Sequence, residues 1–363
     1  MKRKLRISTL LLLGALVVLG TASSTEAKKL RYHYIDLGTL GGTYSWSTGV
    51  NNWGQVVGFS ETKTGEFRAF LSTAKKMKQL ESVDNDFFSK AWSINDRGQV
   101  VGFSLSSGGR RHALLWDHTG LYELETFAGD QSDAFSINRH GEIVGWVAVP
   151  EETTKIIHAA LWNSKGLTDI NPFQSDLSVA SSINKRGDVV GTYLTPEGLL
   201  QAVFWNREGV HKLRTLGGEE SEAYWISDKG DIVGWCDLPD GDWHACFWTT
   251  SGDVLDLGAL DGIYSEALSI NDRGEVVGTY YFDADLEDAR AFIWTKKHGM
   301  QDLSGLVDLP DGVFVADATS INDFGWIAGT NSLGTACLLI PYGSHEDKGH
   351  HKHSSTPSRR PRK

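Results

Sequence analysis

Short apolar segments alternate with turn residues along nearly the whole chain, and one pattern of them returns seven times. Each copy has a strand of small residues ending in Ile-Asn, a two-residue gap, a glycine, and then Val-Val-Gly or a close variant. The clearest copies run from Ile94 to Gly102 and from Ile270 to Gly278. The inner segments lie at 45–51, 89–95, 132–138, 178–184, 221–227, 265–271 and 316–322. Their turn glycines, Gly54, Gly98, Gly141, Gly187, Gly230, Gly274 and Gly325, stand 43 to 51 residues apart. Self-similarity at a period of roughly 40–50 residues is the mark of an array of four-stranded blades.

Each unit offers four strands. After the Ser-x-Ala-x-Ser-Ile-Asn segment come Val-Val-Gly with an aromatic, as in Val100 to Phe103, and then a run such as His112 to Trp116. The fourth is a polar strand such as Leu121 to Leu124. Asn-x-x-Gly between the first two fits a tight hairpin, with Asn opening a type I turn and Gly accepting the positive φ that closes it. Side-chain size also changes across the unit. Small residues suit the crowded axis of a ring of sheets. Trp116, Trp162, Trp205, Trp248 and Trp294 suit the wider gaps outside it. The middle strands are apolar on both faces, as expected of sheets covered on both sides. The outer strand carries Lys78, Glu123, Asp169, Lys212, Asp256 and Asp302, charges that discourage edge pairing.

The last unit has a third strand at 335–340 and no fourth, whereas Tyr34 to Gly38 reads like the fourth strand of other units. An open solenoid would need polar caps, and the ends show none. The expected architecture is therefore all-β: a seven-bladed β-propeller of four-stranded antiparallel blades over 31–341, its last blade closed by the N-terminal strand.

The ends change the compartment and the charge. Lys2, Arg3, Lys4 and Arg6 precede an apolar run from Ile7 to Leu19 and small residues to Ala27, which reads as an export signal over 1–27. The apolar run is shorter than the roughly 20 residues of a membrane span. No later segment is apolar enough to cross, so an extracellular or periplasmic protein with no membrane span is expected. Residues 344–363 hold His345, His350, His351 and His353 among Ser, Pro, Arg and Lys. A disordered, solvated tail is expected there rather than a metal site, because unfixed histidines lack the geometry one needs. The chain's formal charge is −11; without signal and tail it keeps 25 basic against 43 acidic side chains, near −18. Such a body repels polyphosphate, which argues against nucleic acid as a partner. The three cysteines allow at most one internal disulfide. Cys236 and Cys246 flank the Asp240-Gly241 turn and either bridge or, with Cys337, serve as small buried hydrophobes.

Leu-Gly-Thr-Leu-Gly-Gly at 37–42, the Ser-x-Ala-x-Ser-Ile-Asn-x-x-Gly-x-Val-Val-Gly core, and the His-Ala-Leu-Leu-Trp and Arg-Ala-Phe-Ile-Trp runs resemble the HAF repeat family of bacterial extracellular proteins. The resemblance covers 32–341. It departs at Ser227, at Thr335 to Leu339, and at Phe70-Leu71-Ser72 where Trp is expected. It implies an exported bacterial propeller and brings no established reaction or ligand.

Function is expected where equivalent units differ. The variable connections, 61–66, 147–155, 237–242 and 283–288 with 217–222 and 261–266, are expected on one face. The second residue of each inner strand sits beside the channel mouth: Trp46, Lys90, Asp133, Val179, Glu222, Glu266 and Asp317. The four carboxylates can coordinate a cation or bond a sugar, and Tyr44, Trp46 and Tyr264 offer stacking surfaces. The bland alternatives are solvated loop charge and inter-blade packing. No cofactor is expected; calcium stays open without a motif, because Asp283-x-Asp285-x-Glu287 has Asp288 where a calcium loop needs glycine. His112, His158 and His244 recur at one repeat position and read as structural. There is no nucleophile elbow, paired-cysteine motif or phosphate-cradling loop. The leading expectation is a monomeric, non-enzymatic binding scaffold whose partner is a polysaccharide or an envelope protein. The alternatives are a carbohydrate hydrolase or lyase with its site at the channel mouth, and a structural surface-layer protein.

Overall fold

The computed structural model describes residues 32–83, 86–127, 131–149, 156–283, 285–286 and 288–343. The expected signal and tail, and parts of the loops at 147–155 and 283–288, lie outside them. The described residues form 28 strands and one short 3-10 turn at Ser304–Leu306. They make five four-stranded sheets and one eight-stranded sheet. The larger sheet is two antiparallel sets of four strands joined by a single parallel bridge between Phe67 and Phe88. A representative set runs Asp86–Ile94, Val100–Ser106, Arg111–Asp117 and Gly120–Glu123, each strand antiparallel to the next.

The sheets stand in a closed ring. Each inner strand contacts the inner strand of the next unit, and Val315–Ile321 returns to touch Gly41–Val50. Closure is made by the strand Tyr32–Gly38, which pairs antiparallel with Ala336–Pro341 from Tyr32 opposite Pro341 to Asp36 opposite Cys337. The N-terminal segment thus supplies the strand that the last unit lacks.

Three sets of hydrogen bonds join one unit to the next. At the turn end, the side-chain amide of Asn51 donates to the Asn95 carbonyl (3.1 Å), Asn95 to Asn138 (3.0 Å), Asn138 to Asn184 (3.0 Å) and Asn184 to Ser227 (3.2 Å). Asn271 then donates to Asn322 (2.9 Å), and Asn322 closes the belt on Asn51 (2.9 Å). Farther out, the inner-strand serines accept from the neighbouring third strand, as in Ala113 N–H to Ser132 Oγ and, across the closure, Ala336 N–H to Ser45 Oγ. Outside these, the indole N–H groups of Trp116, Trp162, Trp205 and Trp248 donate to carbonyls of Glu81, Glu125, Ile170 and Arg214 in the preceding unit. Trp294 departs from this: it lies half-buried against Phe247, with ring centroids 5.9 Å apart.

Every inner strand carries a register shift at its fourth residue, as between Ala91 and Ser93. Such a bulge leaves one residue outside the ladder and re-aims its side chain. It also explains the glycine of Val-Val-Gly. A Cβ at Gly102 would lie 2.0 Å from the Lys90 carbonyl oxygen, and one at Gly145 would lie 1.9 Å from that of Asp133. The thiols of Cys236, Cys246 and Cys337 are all free and buried. Cys236 lies opposite His244 and Cys246 opposite Gly234, so the two are diagonal neighbours and not a facing pair. The recurring histidines bond outer-strand carboxylates: His112 to Glu123 at 3.1 Å, His158 to Asp169 at 2.7 Å and His244 to Asp256 at 3.0 Å.

Two substitutions separate the glycine roles. Gly98 has φ +76° with open space around it, so Gly98→Ala is expected to cost about 1 kcal/mol. Gly102→Ala drives a methyl into backbone and is expected to cost about 3 kcal/mol or more. Equal urea midpoints for the two variants would contradict the bulge as the reason for that glycine. The amide belt makes its own prediction. Asn138 uses both its donors and accepts the N–H groups of His140 and Glu142. Asn138→Ala is therefore expected to lower stability by about 3 kcal/mol in urea unfolding, because it orphans several buried partners at once.

Candidate binding site in the central channel

The amide belt narrows the turn end of the ring to a space of about 170 Å³, lined by the Asn and Asp residues of the hairpins. A second belt lies just outside it, with backbone N–H groups of Asn52, Lys185 and Asp272 donating to Asp96, Asp228 and Asp323. The channel is therefore wider toward the variable connections. There it holds a cavity of about 530 Å³. Its wall is built from the second residues of the inner strands, Trp46, Lys90, Val179, Glu222 and Glu266, and from the bulged fourth residues, including Trp92, Phe135, Tyr224 and Leu268. A second cavity of about 510 Å³ adjoins it where the last units meet the first. That one is lined by Tyr44, Trp46, Glu266, Tyr281, Arg290, Phe314 and Asp317. Trp46, Glu266 and Leu268 belong to both walls, so the two spaces adjoin along these side chains. Larger grooves of about 850 and 980 Å³ lie on the turn-side rim, away from the channel residues.

Of the residues singled out in the sequence, Tyr44, Trp46, Glu222, Glu266 and Asp317 line these two adjoining cavities. The other two do not join them. Asp133 is fully buried and turned onto protein donors: Arg111 Nη2 at 2.5 Å and Trp92 Nε1 at 3.1 and 3.3 Å. Tyr264 lies flat against Trp243, with centroids 3.6 Å apart and planes 1° off parallel, and lines neither cavity. Its face is already occupied. The fourth-position residues were missed in the sequence because period-two alternation gives no sign of a bulge. Their signal was repeat position: Thr48, Trp92, Phe135, Ser181, Tyr224, Leu268 and Thr319 vary freely, while their neighbours are Ala and Ser in all units but the first, with Ser47 and Gly49, and the fifth, with Trp225.

Most carboxylates here are held by the protein. Glu266 accepts the hydroxyl of Tyr281, and Asp317 accepts the Thr330 N–H at 3.0 Å. Trp235 Nε1 donates to Glu222 at 3.3 Å. Burial pushes the Asp317 carboxyl up to about 7 and that of Asp133 to about 6, where desolvation outweighs the adjacent Arg111. Burial also raises Glu266, with Glu222 adding repulsion. Among the described residues, no group of three His, Cys, Asp or Glu side chains comes together to hold a metal ion. Asp133 stands apart on Arg111, while Glu222, Glu266 and Asp317 follow one another along one arc of the wall.

A raised carboxyl binds its proton more tightly in the folded state than in the unfolded one. Its contribution to stability is therefore greatest below the ordinary value of 3.8 and declines as pH rises toward about 7. Asp317→Asn removes that decline. Its melting temperature relative to the parent is expected to rise by about 3 °C or more between pH 4 and pH 8. A pH-independent difference would place the Asp317 carboxyl near its ordinary value.

No family model matches this chain, and no curated protein does. Among solved structures it is similar to the β-propeller domain of the Trilobed protease from Pyrococcus furiosus, with TM-score 0.52 and 11% identity over 74% of this chain and 86% of that one. It is also similar to a puromycin-hydrolyzing peptidase of Mycobacterium tuberculosis, with TM-score 0.55 and 11% identity over 85% of this chain and 53% of that one. TolB from Acinetobacter baumannii aligns at TM-score 0.46 and 12% identity over 80% of this chain; the chain spans 64% of the TolB chain. At these identities the likeness concerns the fold alone, and that fold is the β-propeller.

Proposed function

We propose that this chain is an exported seven-bladed β-propeller of the HAF repeat type that binds carbohydrate, in polysaccharide form, in the channel mouth without transforming it. Seven inner strands following one another round the channel support the blade count. The observation that carries the binding reading is the pair of adjoining cavities that share Trp46, Glu266 and Leu268 in their walls. Concave sites of roughly 300–1,000 Å³ with apolar walls and a few placed polar groups are what small ligands and chain segments occupy. Here Tyr44, Trp46 and Trp92 supply flat apolar faces, and Glu222 and Glu266 supply hydrogen-bonding edges. Sugars present that combination, with C–H faces for aromatic rings and hydroxyls for carboxylates.

One observation favours the second reading, a hydrolase or lyase: Glu266 and Asp317 both have raised carboxyl values and line the same cavity. Against it, each carboxyl already takes a hydrogen bond from the protein, Tyr281 O–H to Glu266 and Thr330 N–H to Asp317, which is how a wall carboxyl is held in place without any reaction.

Glycan-array binding followed by calorimetry on the best glycan separates the readings. Trp46→Ala is expected to weaken binding by about tenfold or more, since stacking on one aromatic ring is worth roughly 1–1.5 kcal/mol. Unchanged affinity would remove the channel mouth as the site. Release of new reducing ends from the bound glycan, abolished in Glu266→Gln, would instead establish the catalytic reading.

A further inference from the structure

Lys90 is the second residue of its inner strand, and its side chain lies in the wall of the 530 Å³ cavity. The ammonium sits over the Trp92 ring at 3.5 Å from its centroid and 4.9 Å from that of Phe59. Among the described residues, no carboxylate or other acceptor lies within hydrogen-bonding distance of it. The acidic side chain of the next unit at the same position, Asp133, is taken by Arg111 and Trp92. Two aromatic faces attract a cation, but they replace neither its water nor a counter-ion. Desolvation accordingly lowers the Lys90 amine to about 8, so it remains mostly charged at neutral pH. An ammonium in this position, with three donors and no acceptor, is costly to the empty protein.

We propose that Lys90 recognises a carboxylate on the ligand, and that the channel therefore takes an acidic sugar, either a uronic acid within a polysaccharide or a free sugar acid. This rests on the carbohydrate reading above and names its substrate class. Lys90 belongs to the second unit, whereas Glu222 and Glu266 belong to the fifth and sixth, which lie across the ring. A ligand carboxylate on Lys90 thus leaves hydroxyls facing Glu222 and Glu266, with Trp46 and Trp92 along the ring face. A phosphate is the poorer fit. It would bring a second negative charge toward Glu222, Glu266 and Asp317 with one ammonium to meet it, since Arg111 is committed to Asp133 and Arg290 to Asp288.

Calorimetry at pH 7 with galacturonate, trigalacturonate and galactose tests this on the wild type, Lys90→Met and Lys90→Arg. The wild type is expected to bind galacturonate at least tenfold more tightly than galactose. Lys90→Met is expected to lose that preference, binding galacturonate and galactose within about twofold of each other, and Lys90→Arg to retain part of it. Lys90→Met is also expected to melt no lower than the wild type, because an apolar chain of similar shape replaces an uncompensated charge. Trigalacturonate binding more tightly than galacturonate supports a polymer-borne acid; equal affinities support a free acid. A preference that survives Lys90→Met, or equal wild-type affinity for galacturonate and galactose, overturns the role of Lys90 and leaves carbohydrate binding standing. Failure of all three probes to bind the wild type removes both.

Discussion

The structure depends on the side-chain amide of one asparagine per unit. Its two N–H groups reach a carbonyl of the next unit and, within its own hairpin, a side chain such as Glu142 or Gln55; its oxygen accepts two backbone N–H groups of the turn. Every polar atom is therefore used, three of the four hydrogen bonds for the local hairpin and one for the neighbour. Neither Asp nor Ser can do both: Asp has no donor when ionised, and Ser has one. Ser227 shows the consequence. It keeps the turn, accepting the Asp231 N–H at 3.1 Å, but the belt among the described residues has no side-chain link from it to the next unit. The ring tolerates that gap because the serine bonds at the neighbouring level continue there, as in Ala245 N–H to Ser265 Oγ.

Packing against the axis then dictates the rest of the inner strand. Hydrogen-bonded neighbours this close leave room only for Ser and Ala on the faces between units, and those positions are buried round the ring: Ser89 and Ala91, Ser132 and Ala134, Ser178 and Ala180. The bulge follows, pushing a carbonyl over the second strand, and only glycine lies beneath it without a clash. What escapes these constraints is the pair of side chains that point into the channel. They are free to differ because they lie outside the close-packed faces between units, and they do differ: Trp, Lys, Asp, Val, Glu, Glu and Asp at the second position. A scaffold this repetitive places its chemistry where its own packing stops.

That division also decides what was legible in the sequence. The repeat, the strand order, the positive-φ turn glycines and the N-terminal closing strand all follow from local pattern and period, and the pairing of Tyr32–Gly38 with Ala336–Pro341 agrees with them. The second-position residues were legible for the same reason, since repeat position alone assigns them to the channel. Two features were not. Asp133 looked like its acidic counterparts, but Arg111, on the third strand of the preceding unit, reaches over to pair with it, and nothing in the Asp133 segment encodes that partner. Tyr264 looked like a free platform until Trp243 covered it from the adjoining unit. Both misplacements come from contacts between units, which a within-unit pattern cannot carry. The tryptophan staples belong to the same class: the residue was legible as a gap filler, while its carbonyl partner some 35 positions earlier was not.

The electrostatics of the channel then follow from its walls. Aromatic and aliphatic side chains keep the effective dielectric low, and three groups facing the space move toward their neutral forms: Asp317 and Glu266 upward, Lys90 downward. Opposite shifts in acids and a base on one wall show that desolvation dominates, because a single net field would push all of them the same way. The strongly acidic surface therefore does not set the character of the channel. A charge already stripped of water loses little more when a ligand arrives and gains the full hydrogen bond to it. The groups whose partners come from the protein, Asp133 with Arg111 and Asp317 with Thr330, have used that gain in folding. Lys90 has not, and it is there that the empty channel and an acidic occupant differ most in energy.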